Sequence, residues 1–472
     1  MTSVNQDEGV ARAFTHEQDR DAIFRPLALG GLRLKNRIMR SSISGTFDHY
    51  DGHGSDARIR WEESFAEGGV SAIISSFVPV TVRGRILTRY ATIDADDKIP
   101  FWRRVGEHVH RHDCKFILQL SHAGRQQDLG GVENLYKLAQ SSTRKKDYFH
   151  GILCEPMSEA DIAATVAAFA DGAVRAREAG LDGVELHGAN GYLITQFLSS
   201  GINDRDDGYG GDVAGRARFA LEIVRAIRAK VGRDFHLQMK INGEDHNDWL
   251  YPTEKRGNTL VDTLAICKLL EDGGRGVDAF HVSSGSTFPH PRNPPGDFPL
   301  EDAARWYDGM LSSGVRARFN YAIFRSKVLG PLFRRYWAYR RGARIEGINL
   351  DYARAVRAAA SVPVLVTGGF QRAPVIANAI RDGACDAVTI ARPLIANRDL
   401  PRILFARPEP ERPCTYCNKC LLNDLENPLG CYDVDRFPGA TFDDRYARML
   451  RELMAVFEPL DAPSAATPSA EE

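Results

Sequence analysis

Where the chain reads Asp182-Gly-Val-Glu-Leu-His187-Gly-Ala-Asn190-Gly-Tyr192, three side chains able to handle a carbonyl compound follow one another closely. His187 and Asn190 stand three apart where a β-rich run gives way to a helical one, so they can aim two hydrogen-bond donors at one oxygen. Such a pair stabilises the enolate formed when hydride adds to a conjugated double bond, as an oxyanion hole does. Tyr192 can approach from another side as a general acid, a contribution of about 10²–10⁴-fold. A packed histidine and a turn asparagine are the plainer alternative, and the surroundings have to decide.

Two further constellations carry chemistry. Val362-Pro-Val-Leu-Val runs into Thr367-Gly368-Gly369-Phe370, and a later run ends in Ile390-Ala391-Arg392-Pro393. Paired glycines let backbone N–H groups close on an anion, and Arg392 adds a charge with forked donors. Gly-Gly alone is equally a tight turn. Cys414-Thr-Tyr-Cys417-Asn-Lys-Cys420 is followed after ten residues by Cys431, so four of the eight cysteines crowd together. C-x2-C-x2-C with a distant fourth thiolate suits an iron–sulfur cluster, a [4Fe–4S] above all, or an all-cysteine zinc site.

The elements that must position these groups alternate almost from end to end. Strands are predicted at Asn36–Ser41, Ala72–Ser76, Lys115–Gln119, Gly183–His187, His236–Lys240, Ala279–Val282, Val362–Thr367 and Ala387–Ile390. Between them, apolar residues recur at three and four over Ala160–Ala179, Ala214–Val231, Leu260–Gly273 and Ala373–Gly383, the period of amphipathic helices. Eight such strands predict an α/β chain closed as a (β/α)8 TIM barrel. The open doubly wound sheet wants a Gly-x-Gly-x-x-Gly turn after an early strand, and none is present. Ser44, Ser75, Gln119, His187, Lys240, Ser283, Thr367 and Arg392 sit where the runs end, the face on which barrel active sites lie. Loops after strands seven and eight form the usual phosphate site of that barrel.

The predicted organisation is an N-terminal arm over 1–21 and a barrel over 22–412 with a long insertion, 283–350, after strand six. A separate cysteine-rich appendage and helix follow over 413–460, then a disordered small-residue tail over 461–472. A net charge of −1 gives no field that recruits nucleic acid. The polar, acidic N-terminus lacks the apolar core of a secretory signal, and no run reaches the ~20 apolar residues of a spanning helix. A cytoplasmic location is expected, with the cysteines as thiols or metal ligands.

The motifs resemble those of the old yellow enzyme family of FMN-dependent ene-reductases over roughly residues 22–410. The resemblance rests on Leu34-Lys-Asn-Arg-Ile38, Gln119-Leu-Ser-His-Ala-Gly-Arg125, His187-x-x-Asn190-x-Tyr192 and Asn203-x-Arg205-x-Asp207-x-Tyr209-Gly-Gly211. It implies FMN over the barrel mouth, reduced by NADH or NADPH and reoxidised by an enone-like small molecule, with hydride passing through flavin N5. Residue by residue, Gln119 looks like the contact to the flavin pyrimidine edge, His187 and Asn190 the substrate-carbonyl pair, and Tyr192 the proton donor. Gly368, Gly369, Ala391 and Arg392 look like the phosphate site. Ser41 and Ser42 stand in place of the usual Ala-Pro, Ser44 in place of the Thr or Cys that tunes the flavin, and Ser75 where Thr is common. Lys240 takes the place of the arginine near flavin N1 and O2. The cysteine run resembles the cluster segment of trimethylamine dehydrogenase and 2,4-dienoyl-CoA reductase. That likeness keeps oxidative demethylation of an amine open, and also an FMN and iron–sulfur subunit that only passes electrons to a separate redox partner.

The insertion opens with the Pro-rich run Ser283-Ser-Gly-Ser-Thr-Phe-Pro-His-Pro-Arg-Asn-Pro-Pro-Gly, expected to lie over the barrel mouth as a lid. From Arg316 to Arg344 it carries nine Lys or Arg and no acid, interleaved with aromatics. Three readings stay open: aromatics packed on the barrel or on another subunit of a homo-oligomer, a basic pocket for an acidic or CoA-like substrate, and an interfacial helix on anionic lipid.

Overall fold

The computed structural model describes residues 14–127, 138–147, 153–247, 255–309, 315–424 and 427–460. Most of the expected arm and all of the expected tail lie outside these residues. Eight parallel strands close on themselves: β1 Ile38–Arg40, β2 Ala72–Ile74, β3 Lys115–Ser121, β4 Gly183–Gly188, β5 His236–Asn242, β6 Ala279–Ser283, β7 Val364–Thr367 and β8 Ala387–Ile390. Each pairs with the next, and Val388 of β8 opposite Ile38 of β1 closes the ring. The chain is the (β/α)8 barrel its sequence predicts.

Helices α1 Asp56–Glu67, α2 Ile99–His110, α3 Glu159–Glu178, α4 Val213–Val231 and α5 Leu260–Glu271 run back along the outside. The insertion holds α6 Leu300–Gly309, α7 Val315–Arg325 and α8 Leu329–Arg341, and α9 Leu350–Ala359, α10 Ala373–Arg381 and α11 Leu400–Ala406 complete the barrel shell. After the cysteines comes α12, Phe442–Met454. β1, β2 and β7 are shorter than expected, β1 and β7 for visible reasons. Asn36 turns its side chain back, accepting from the Ile38 amide and donating to Gly69 O, which delays β1. Pro363 has no N–H to give a ladder, and β7 begins after it.

Side chains alternate across each strand, so one set points into the barrel. The lower layers are apolar: Met39, Ala72, Ile74, Ile117, Ala279, Leu365 and Ala387 meet the hairpin Leu27–Leu29/Leu32–Leu34, which plugs the floor. Above them the interior turns polar, with Gln119, Glu185, Gln238, His281 and Thr389 all fully buried. This layer supports the open end.

The described segments on either side of the barrel pack against it. Helix His16–Phe24, capped by Thr15 and Gln18, crosses the expected arm boundary, and its Asp19 pairs with Arg381 of α10 at 2.6 Å. Cys420, Leu429 and Val456 of the expected appendage belong to the main core, so that segment is part of the barrel's packing. Among the described residues no helix is long and apolar enough to cross a membrane.

Candidate active site

A cavity of about 220 Å³ opens at the C-terminal ends of the strands. It is lined by Ser41, Ser42, Ser44, Gln119, His187 and Lys240, and by Thr367, Gly368, Gly369, Ala391 and Arg392 from the ends of β7 and β8. Asn190 and Tyr192 complete it, so nearly every residue singled out in the sequence converges here. Ser75 does not line it. Its hydroxyl donates to Ser76 O and accepts from the Gln119 amide, each at 2.8 Å, so it supports β3 and has no proton left to donate to a ligand.

Local backbone geometry aims the carbonyl pair. Asn190 and Gly191 both take the left-handed region, at φ 63° and 85°, and turn the chain sharply from β4 into helix Leu193–Leu198. A Cβ at Gly191 would lie 2.0 Å from Ser286 O, so only glycine fits. Gln126 holds the turn by donating to Asn190 O at 2.9 Å. The Asn190 amide donates to Ser283 Oγ at 3.1 Å, which fixes its nitrogen and leaves a second N–H for the cavity. His187 and Tyr192 rings meet edge to face at 4.6 Å, with Phe77 against Tyr192 at 4.8 Å.

Burial sets the protonation states. It pulls His187 well below the ordinary imidazole range, helped by the Lys240 charge, so His187 is neutral and keeps one N–H to donate. It pushes the Tyr192 phenol far up, so the proton stays on Tyr192 through the alkaline range. Lys240 is itself lowered by burial against the pull of Glu185, and lies 3.5 Å from Ser42 Oγ.

Glu185 organises the layer beneath. Gln119 Nε2 and Gln238 Nε2 donate to it at 2.7 and 2.5 Å, and His281 bridges it at 2.8 Å to Thr389 Oγ1 at 2.7 Å. With its nitrogen so engaged, Gln119 turns Oε1 toward the cavity, buried and without a partner. His187 Nδ1 is likewise buried and unpartnered.

Phe288, Pro289, Asn293, Pro294 and Pro295 of the Pro-rich run line the cavity, with Phe298, Trp306 and Tyr307 after them. Tyr90 and Asp424, not singled out from the sequence, line it too. Desolvation raises the Asp424 carboxyl well above the usual range.

Cys414, Cys417, Cys420 and Cys431 surround a small cavity of about 20 Å³ next door. Tyr416 N donates to Cys414 Sγ at 3.4 Å and Arg436 to Cys431 Sγ at 3.2 Å. Among the described residues no three Cys, His, Asp or Glu side chains are drawn together closely enough to hold a metal ion. Four cysteines around one cavity are the donor type of a thiolate-held group, but their side chains are not gathered into a ligand set here. Arg392 lines both cavities; its two terminal nitrogens donate to Asn418 Oδ1 and Pro295 O, which leaves three of its five N–H groups. Tyr416 links the two sites directly, donating its hydroxyl to Gly369 O.

The sequence pattern of the NADH:flavin oxidoreductase / NADH oxidase family matches residues 22–267, more than half of the chain. The chain belongs to this family. Among curated relatives, NADH oxidase of Thermoanaerobacter brockii is 29% identical over 392 residues, covering 83% of this chain and 52% of its own length. NADPH dehydrogenase of Halalkalibacterium halodurans is 33% identical over 305 residues, covering 62% of this chain and 85% of its own. The chain thus spans about half the length of the first of these relatives. Among solved structures, 2-naphthoyl-CoA reductase superposes with a TM-score of 0.70 at 22% identity, covering 87% of this chain and 56% of that one, a likeness of fold.

For a member of this flavin family the cavity can be tested against the ring system and phosphate of FMN. It offers an orphaned acceptor at Gln119 Oε1, a buried cation at Lys240, and at the far end the open backbone of Gly368 and Gly369, the latter at φ 71°. These features fit an FMN.

Proposed function

We propose that this protein is an FMN-dependent NAD(P)H oxidoreductase that reduces a carbon–carbon double bond conjugated to a carbonyl, or runs the reverse desaturation. The observation that carries this reading is the joint presence of a neutral His187, an Asn190 fixed by Ser283 and a protonated Tyr192 on one cavity wall. When bound, FMN supplies hydride transfer between nicotinamide and substrate. Gln119, Lys240 and the serines Ser41, Ser42 and Ser44 would hold its ring, with Gly368, Gly369 and Ala391 at its phosphate.

The chain's own groups perform the rest. His187 and Asn190 donate to the substrate oxygen and stabilise the negative charge that builds there. Tyr192 delivers a proton to the adjacent carbon, and the Lys240 ammonium balances charge on the reduced side of the site. Phe77, Phe288 and Phe298 exclude water. The four cysteines are assigned a [4Fe–4S] cluster, with zinc as the alternative, that exchanges electrons with a separate redox protein. Asp424, with Tyr90, Trp306 and Tyr307 around the same cavity, favours a second reading in which an amine is oxidised. Purified protein carrying FMN should give a long-wavelength charge-transfer band with a phenol and oxidise NADPH in the presence of cyclohexenone. Turnover of a methylated amine with no phenol band would favour the second reading, and protein that never binds flavin would end both.

A further inference from the structure

The insertion carries two sets of apolar side chains that face opposite ways. Phe324, Phe333 and Trp337 of α7 and α8 turn inward and close on Phe298 and Tyr307, a satellite core in which Phe298 and Trp337 rings stand 4.9 Å apart. The second set is outside. On α8, Leu329, Leu332, Tyr336 and Tyr339 recur at steps of three and four, which confines them to one sector of about 80° on the helix surface. All four are exposed, Leu332 at 58% and Tyr339 at 79%, as is Val328 just before the helix. By the same geometry Arg335 and Arg340 border the sector on its two sides. Residues 316–344 include nine Lys or Arg and no Asp or Glu, so the run itself is strongly basic. Arg334 and Arg344 do meet acids, but from outside the run, at Asp297 and Asp351.

We propose that this face of α8 docks the protein on an anionic lipid surface, its leucines and tyrosines seated at headgroup depth and its arginines on the lipid phosphates. The two features belong together only at such a surface. An anionic small molecule needs the charges and gains nothing from an outward apolar stripe. A second copy of the chain suits the stripe, but a two-fold contact sets each patch against itself. Arg335 would then face its own copy, with no acid in the run to offset it. By its inner face the same helix packs on Phe298 and Tyr307, which line the proposed substrate cavity.

The test is co-flotation of the full chain with vesicles of phosphatidylcholine alone or with phosphatidylglycerol. Binding is expected to the anionic vesicles at low salt, weakened by high salt. Arg335→Gln/Arg340→Gln should lower affinity about 25-fold, from roughly fivefold per charge near the surface. Leu332→Ser/Tyr336→Ser should lower it by a similar factor without altering the thermal melt. In an otherwise unchanged chain, the emission of Tyr339→Trp should shift to the blue on vesicle addition, a readout independent of any loss of folding. Absence of low-salt binding overturns the proposal. So does binding that Leu332→Ser/Tyr336→Ser leaves intact, or a stable dimer that this double variant dissociates. Displacement from vesicles by polyglutamate at charge-equivalent concentration would assign the face to an acidic protein instead.

Discussion

Gln119 Nε2 donates to Glu185 Oε1 at 2.7 Å, and that bond decides which end of the glutamine amide faces the cavity. The same carboxylate receives Gln238 and His281; burial raises its pKa, but His281, the Lys240 charge and the Gln119 bond outweigh that and hold it below the ordinary range. Glu185→Gln has one carbonyl oxygen where the carboxylate has two, and it can bond Gln119 in either orientation. FMN affinity should fall about tenfold, the scale of one hydrogen bond to a charged group. Glu185→Leu, which strands three buried partners, should cost about 3 kcal/mol or more in stability. Flavin fluorescence titration and denaturant melts measure the two separately. Unchanged flavin affinity in Glu185→Gln would show that the Gln119 amide is held by other contacts.

Tyr192→Phe removes the hydroxyl and keeps the ring that packs on His187 and Phe77. FMN affinity and the rate of NADPH oxidation should change little. Reduction of an enone should slow by about 10²-fold or more, the usual worth of a positioned acid. Stopped-flow measurement of the two half-reactions separates these effects. Equal slowing of both would mean that Tyr192 shapes the cavity and does not deliver a proton.

The eight strands were legible because buried parallel strands read as short apolar runs between strongly periodic helices. Most of the cavity wall was legible for a related reason: polar residues at the ends of such runs face one opening. Ser75 shows the limit of that rule, since a serine satisfied by neighbouring backbone looks the same in sequence as one turned to a ligand. Glu185 carried a usable signal, as it shares its strand face with His187 two residues on, yet its partner His281 lies 96 residues away. Asp424 and Tyr90 carried none. They reach the cavity through the packing of the cysteine segment and of the loop after β2, which no local period records.

Cys417 lies within the tightest part of the cysteine spacing, between Cys414 and Cys420 around one small cavity. In protein purified without oxygen, Cys417→Ser should abolish bound iron while FMN content is kept. Iron and flavin analysis on the same sample tests this. Activity with an artificial electron donor should fall with the iron if the cluster carries electrons, and should survive if the group is structural. Zinc in place of iron in the parent protein would assign the cysteines a structural role from the outset.

Burial alone, with a minor push from Arg83, pulls His122 down to about 3 from its ordinary value of 6.5. Its Nδ1 accepts from the Gly124 amide at 3.1 Å, a bond that requires that nitrogen to be unprotonated. Between the two pKa values the unfolded chain takes up a proton that the folded chain refuses. Stability therefore falls as pH drops through that window, by up to about 1.4 kcal/mol per pH unit for this one group. His122→Asn keeps an acceptor for the Gly124 amide and does not titrate. Its melting temperature should fall less steeply than that of the parent as pH is lowered from neutrality toward 4, while the two curves run parallel above pH 7. The other buried, depressed histidines, His187 and His236 among them, keep some slope in the variant, so the expected result is a shallower curve and not a flat one. Identical slopes would place the acid sensitivity in those other histidines and remove His122 from the account.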